Sequence, residues 1–228
     1  MAGQLSRLGI FDCDGTLVDS GATILAAVAE TFAIHGLDVP PPKACRGVIG
    51  LSLFEAMARL APDQGEEVQR QLTETYKSCF FRARQEGRVE EPLFDGILDL
   101  LDDLERDGWL LAIATGKSDR GLKHCLESHG IHARFVSLQT ADRHPSKPHP
   151  SMVEQALADA GASPQSSFVV GDTAYDMGMA CAAGAGALGA GWGYHDEAEL
   201  LAGGAQLIAE TPHSVMALLP QLMERMDG

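Results

Sequence analysis

The stretch Leu8-Gly9-Ile10-Phe11-Asp12-Cys13-Asp14-Gly15-Thr16-Leu17-Val18-Asp19-Ser20 runs from small and apolar residues straight into two carboxylates. A short apolar run that halts at charge has the form of a buried strand arriving at a site. The same form recurs downstream. Leu110 to Ala114 stops at Thr115-Gly116, and Ser167 to Val170 stops at Gly171-Asp172. Weaker runs lie at Phe135 to Leu138, Ala187 to Ala190 and Gln206 to Ala209. Between them Ile97, Leu98, Leu100, Leu101 and Leu104 have helical spacing and end near Gly108, and Met152, Val153, Ala156 and Leu157 form a second helix closed by Gly161. Strand and helix in alternation predict an α/β fold, a doubly wound parallel sheet of Rossmann-like type.

About eighty residues between the first strand and the helix at Ile97 break this alternation, a length that suits a small subdomain. Helical periodicity over Ile24 to Phe32, Leu53 to Leu60 and Val68 to Phe81 predicts an inserted helical unit, with Gly36 and Pro40-Pro41-Pro42 separating its first two helices. The expected division is residues 1–18 and 91–228 for the sheet domain and 19–90 for the insert. Phe80 and Phe81 are expected to pack in the core of that insert.

The bulk numbers narrow the choice of partner. Of 228 residues, 17 are basic and 32 acidic, a formal charge of -15. Such a surface repels nucleic acid and anionic membranes, so neither is an expected partner. A small anion remains acceptable where a metal and local donors reverse the field in one cleft. Five scattered cysteines without C-x-x-C spacing argue for a reducing compartment, and no apolar run reaches signal-peptide or membrane-spanning length; the expectation is a cytoplasmic chain, monomeric or homodimeric.

In an open parallel sheet the carboxyl ends of the strands face one crevice. That brings Asp12 and Asp14, Thr115 and Gly116, and Asp172 and Asp176 toward a common place, with Lys147 in the loop Ser146-Lys147-Pro148-His149-Pro150. Crowded carboxylates repel one another unless a cation joins them, and a hard oxygen-rich site suits Mg2+. With metal and Lys147 neutralising a phosphoryl group, Asp12 is free to attack it and form an aspartyl-phosphate. Asp14, two residues on, is placed to protonate the leaving oxygen and later to activate water. Gly15 permits the turn that follows, and Thr115 with the backbone of Gly116 offers donors to phosphate oxygens. Asp172 and Asp176, four apart at a helix start, are placed to face the metal together.

Phe11-Asp12-Cys13-Asp14-Gly15-Thr16-Leu17-Val18-Asp19-Ser20 resembles the first motif of the haloacid dehalogenase superfamily. Ala114-Thr115-Gly116-Lys117, Lys147-Pro148-His149-Pro150 and Gly171-Asp172-Thr173-Ala174-Tyr175-Asp176 resemble its other three, in order, so that the likeness spans residues 7 to 210. The resemblance implies Asp12 as nucleophile and metal ligand, and Asp14 as acid/base that also lends the metal its backbone carbonyl. It further implies Thr115 and Lys147 as phosphate binders, Asp172 as metal ligand and Asp176 as support. The insert is similar to the helical cap of the phosphoglycolate phosphatase and β-phosphoglucomutase branch. The dehalogenases lack an aspartate two residues after the nucleophile, so Asp14 favours phosphate chemistry. Arg46-Gly47-Val48-Ile49-Gly50-Leu51-Ser52-Leu53 resembles the cap loop that touches substrate, making Arg46 and Ser52 candidate contacts.

The expected function is a Mg2+-dependent phosphatase acting on a small phosphorylated metabolite of phosphoglycolate or sugar-phosphate type. Its alternatives are a phosphosugar mutase with the same chemistry and a non-catalytic binding or regulatory module on the same fold. Two motif look-alikes are set aside. Ala114-Thr115-Gly116-Lys117-Ser118 resembles a P-loop ending but has Leu111 where that motif needs glycine. Gly184-Ala185-Gly186-Ala187-Leu188-Gly189 fits G-x-G-x-x-G but follows a helix and enters a strand, the reverse of the dinucleotide context, and reads better as close helix–sheet packing.

Overall fold

The computed structural model describes residues 6–226. Six segments pair as a wholly parallel sheet: β1 (Ser6–Phe11), β2 (Trp109–Thr115), β3 (Phe135–Thr140), β4 (Ala162–Gly171), β5 (Gly186–Ala190) and β6 (Leu207–Ala209). Their order is β3-β2-β1-β4-β5-β6, so the direction of winding reverses between β1 and β4. That reversal opens a crevice at the carboxyl ends of those two neighbours. Register sets Phe11 beside both Ile113 and Val170, which lines up the three chain exits that carry Asp12, Thr115 and Asp172.

Both faces of the sheet are covered, which is why its strands read as continuous apolar runs. One face packs Phe11, Leu111, Ile113, Phe168 and Val170 against α5 (Ile97–Arg106), α6 (Asp119–Ser128) and α10 (Val215–Met226). The other packs Leu8, Ile10, Ala112 and Val169 against α7 (Ser151–Ala160), α8 (Ala174–Ala183) and α9 (Glu197–Gly203). In α5 the buried stripe is Ile97, Leu100, Leu101 and Leu104, while Leu98 points to solvent. Each buried side chain of that kind contributes about 1.5–3 kcal/mol relative to exposure. The glycine-rich stretch after α8 does packing duty. Gly184 caps the helix with φ 71, and a side chain at Gly186 would press on Leu222 of α10.

The insert is helical throughout: α1 (Gly21–Ile34), α2 (Pro42–Arg46), α3 (Leu53–Leu60) and α4 (Glu66–Gln85). The short α2 falls where the proline run predicted only a break. Pro42 takes the first helical position, where its missing N–H costs nothing. Val28, Phe32, Cys45, Met57, Ala61 and Leu72 form a separate apolar cluster within the insert. The two chain crossings lie side by side, with Val18 bridged to Leu93 and the Asp19 N–H donating to the Pro92 carbonyl at 2.8 Å. Among the described residues no helix is long and apolar enough to cross a membrane.

Candidate active site

Asp12 leaves β1 fully buried, its N–H bonded to the Val170 carbonyl at 3.0 Å. Its Oδ1 is held by the Cys13 N–H at 2.6 Å and by Lys147 Nζ at 2.9 Å. Its Oδ2 is buried with no hydrogen-bond partner. Lys147, also wholly buried, reaches on to Asp176 Oδ1 at 2.6 Å. Burial alone would lower the lysine's pKa, but Asp12 and Asp176 outweigh it and the ammonium is held well above its usual range.

Asp176 has a second duty at the start of α8. Its Oδ2 accepts from the Thr173 N–H at 3.1 Å and the Thr173 hydroxyl at 2.7 Å, while Thr173 Oγ1 accepts from the Asp176 N–H, closing a capping box. Asp172 is fixed at both oxygens, accepting from Thr16 Oγ1 at 3.1 Å and from the Tyr194 N–H at 3.0 Å. Gly15, with φ 84, lies so close to Asp172 that any side chain there would overlap its carboxylate.

Asp12 and Asp176 therefore share one ammonium, with the Asp172 carboxylate beside them. Asp12, Asp172 and Asp176 bring ligand oxygens within 4.8 Å of one another. Burial, partly opposed by Lys147 and aided by Asp176 and Asp14, pushes Asp12 up to about 7. Burial, with Asp176 and Asp12 next, likewise holds Asp172 well above the ordinary carboxylate range. An unpartnered buried oxygen in an all-oxygen, net-negative cluster is what a hard divalent cation relieves, so the donor set fits Mg2+.

Asp14 goes a different way. Its Oδ1 pairs with the Lys117 ammonium at 2.7 Å and accepts from the Ser20 hydroxyl. Its side chain is outside the three-carboxylate cluster. Lys117 Nζ also lies 2.7 Å from Glu91 Oε1, at the edge of the insert, so one ammonium is shared by two acids. Burial opposes that ammonium, but Asp14, Cys13 and Glu91 together keep it protonated well above the usual lysine range. The sequence alone assigns no role to Lys117, Glu91, Ser20, Thr16 or Tyr194. Lys117 stood in view beside Thr115-Gly116, whereas Glu91 and Tyr194 are far away in sequence and carried no signal.

Thr115 is buried at the end of β2, its hydroxyl accepting from the Lys117 N–H at 3.3 Å. Beside it the insert's loop presses onto Gly116: a Cβ there would stand 2.6 Å from the Gly50 carbonyl oxygen and closer still to that of Leu51. The same loop roofs Asp12, for a Cβ on Gly50 would come within 3.7 Å of Asp12 Oδ2. Ser52 borders the cavity beneath this roof, and its N–H is bonded to Ser146 Oγ at 2.8 Å. Arg46 does not border it; at the end of α2 its side chain is exposed to solvent.

Phe80 and Phe81 depart from expectation. Neither joins the insert's apolar cluster; both border the cavity, and Phe81 is 41% exposed. Cys13 points the opposite way from its acidic neighbours, into the core beneath the sheet beside Cys125 at 3.9 Å. The hydrogen bond to Cys125 and burial push its thiol well up, which removes it as a nucleophile.

The sequence profile of the haloacid dehalogenase-like hydrolases matches residues 9–190. A probable phosphatase, IndB, of Dickeya dadantii is 33% identical over 96% of this chain and 96% of its own length. A phosphoglycolate phosphatase of Pseudomonas putida is 31% identical over 99% of the chain and 83% of its length. A tyrosine-protein kinase, PtkA, of Mycobacterium tuberculosis is 31% identical over 84% of the chain, which spans 64% of that longer protein. Among solved structures, a haloacid dehalogenase-like hydrolase of Streptococcus pneumoniae superposes with a TM-score of 0.82 at 29% identity, covering 94% of this chain and 98% of the other. The chain belongs to the haloacid dehalogenase-like hydrolase family, and the α/β sheet fold expected from its strand ends is the one it has.

Proposed function

We propose that the chain is a Mg2+-dependent phosphomonoesterase that works through an aspartyl-phosphate on Asp12, with residues 19–90 as its cap. The observation that carries this is the state of Asp12. One oxygen is anchored by Lys147 and Cys13, and the other is buried, unpartnered and beneath the Gly50 loop. An acid held so has an oxygen ready for an electrophile and an orientation it cannot leave. Asp12 and Asp172, with the backbone carbonyl of Asp14, would hold the metal, and Asp176 would brace the set. When bound, the ion supplies positive charge to the phosphoryl oxygens and lets two anions approach.

The chain's own residues do the rest. Lys147 places an ammonium beside the attacking carboxylate, and Thr115 with the Gly116 backbone offers donors to the phosphoryl oxygens. Asp14 gives a proton to the departing alkoxide and then takes one from the water that cleaves the acyl phosphate, with Lys117 and Ser20 fixing its carboxylate. The loop Gly50-Leu51, closed over Asp12 and Gly116, excludes bulk water during attack.

The relatives with phosphatase names support a phosphatase acting on a small phosphorylated metabolite. The test is Asp12→Asn. It is expected to keep the fold and lose phosphate release from 4-nitrophenyl phosphate by roughly 1,000-fold or more. Turnover of that ester by the variant at the parent rate would refute the mechanism. Free phosphate on every turnover separates a phosphatase from a mutase.

A further inference from the structure

A cavity of about 530 Å³ lies between the roof and the sheet, within the size range of small-molecule sites. On the sheet side it is bordered by Asp14, Gly116 and Lys117; Asp12 does not border it. The acid that protonates the leaving oxygen thus faces the cavity, and the acid that attacks phosphorus does not. In-line displacement puts attacking and leaving oxygens on opposite sides of phosphorus. The alcohol portion of the substrate therefore belongs in this cavity.

Most of its roof is apolar, with Ile24, Val28, Ile49, Met57, Tyr76 and Phe80, and Ser52, Thr73, Lys77 and Arg84 are its polar members. Tyr76 and Phe80 stand one turn apart on α4, ring centroids 5.9 Å apart and planes tilted by 31°. Three of the cations bordering it or near it are paired with acids, and Arg120 is stacked on a ring. Lys117 is shared by Asp14 and Glu91, Arg84 pairs with Glu91 at 3.2 Å, Lys77 pairs with Glu74 at 2.7 Å, and Arg120 lies over the Phe81 ring at 4.6 Å. A carboxylate-bearing alcohol such as glycolate would have to draw on a cation already paired with an acid or lift the Arg120 guanidinium off the Phe81 ring. A sugar would bury several hydroxyls against hydrocarbon, each costing free energy when unpaired. A flat apolar group would instead gain contact area and ring–ring geometry.

We infer that the substrate is a phosphate monoester whose alcohol carries an aromatic ring, seated against Tyr76, Phe80, Ile49 and Met57 while its ester oxygen meets Asp14. This rests on the phosphatase reading above and selects among its substrates, against the glycolate or sugar type expected from the resemblance.

The test compares phosphate release with Mg2+ from 2-phenylethyl phosphate, ethyl phosphate, 2-phosphoglycolate and glucose 6-phosphate, together with calorimetric binding of 3-phenylpropylphosphonate and propylphosphonate. The phenyl compound is expected to exceed its alkyl partner roughly 10- to 100-fold, in kcat/KM and in affinity alike, as for burying one such ring. Phe80→Ala should shrink that ratio, and Phe80→Leu should shrink it less. Turnover with phenylethyl and ethyl esters within about twofold of each other would overturn the inference and leave the phosphatase reading intact. So would a preference for 2-phosphoglycolate that is lost in Arg120→Ala. Hydrolysis of none of the esters would instead sink the phosphatase reading, while the phosphonate pair would still decide what the cavity holds.

Discussion

The floor and the roof of this site are built on opposite principles. The floor is polar and enclosed: the Asp12, Lys147, Asp172 and Asp176 side chains are buried, and all but one of the carboxylate oxygens have a partner. The roof turns hydrocarbon toward the same space and meets the floor through scattered polar contacts, among them Ser52 N–H to Ser146, Arg59 to the Tyr175 hydroxyl at 2.7 Å, and that hydroxyl to the Gly47 carbonyl at 2.9 Å. A buried charge network has one low-energy arrangement and resists change, because any unpaired member is expensive. A largely apolar wall joined by a few exposed or part-buried hydrogen bonds adapts and separates at lower cost. On the proposed reading, the difference assigns reaction type to the floor and selectivity to the roof.

The sharpest way to break the comparison is at Lys147. Lys147→Met leaves two buried carboxylates, Asp12 and Asp176, without their shared ammonium, so kcat/KM should drop roughly 1,000-fold. Urea unfolding should show a loss of about 3–5 kcal/mol. A variant that stays stable and active would mean the floor's charges are independent of one another. Next is the contact between the halves. Gly116→Ala puts a methyl into the Gly50 and Leu51 carbonyls, so the loop cannot seat over Asp12. Turnover should fall roughly 10- to 100-fold with little change in melting temperature, and undiminished kcat would show that this contact is dispensable.

A smaller effect concerns protons and metal. Folded pKa values raised at Asp12, to about 7, and at Asp172 mean that the folded metal-free chain binds protons the unfolded chain has released. That stabilisation is complete below the ordinary carboxylate range and is lost as pH rises through about 7. In EDTA the melting temperature should therefore be higher at about pH 5.5 than at about pH 8, and saturating Mg2+ should narrow the gap by binding the ionised pair. Equal melting temperatures at both pH values without metal would contradict the burial of these acids. The smallest change is expected from Arg46→Ala. Exposed and away from the cavity, Arg46 should alter kcat/KM by no more than about twofold. A larger loss would move the roof's selectivity outward to that loop.

Much of the floor was legible because its information is local. Each strand is apolar until the residue that reaches the crevice, so Asp12, Thr115 and Asp172 announce themselves where the pattern ends. The helices α3 (Leu53 to Leu60) and α5 (from Ile97) likewise follow from their spacing. The roof was harder to read. Phe80 and Phe81 look like core residues because helical periodicity shows which residues share a face, not what that face meets. The short α2 was hidden because proline reads as a breaker unless its place at the helix start is known.

By itself the chain's order of residues determined the alternating sheet, the inserted helices and the set of acids and lysines available to the site. Those depend on patterns within a few residues of one another. Only the folded arrangement decided that Lys147 bridges Asp12 and Asp176, that Lys117 is divided between Asp14 and Glu91, and that one oxygen of Asp12 is left over. These pairings join residues far apart in sequence. Their geometry is set by register and by the packing of helices on the sheet, and neither is written in any single segment.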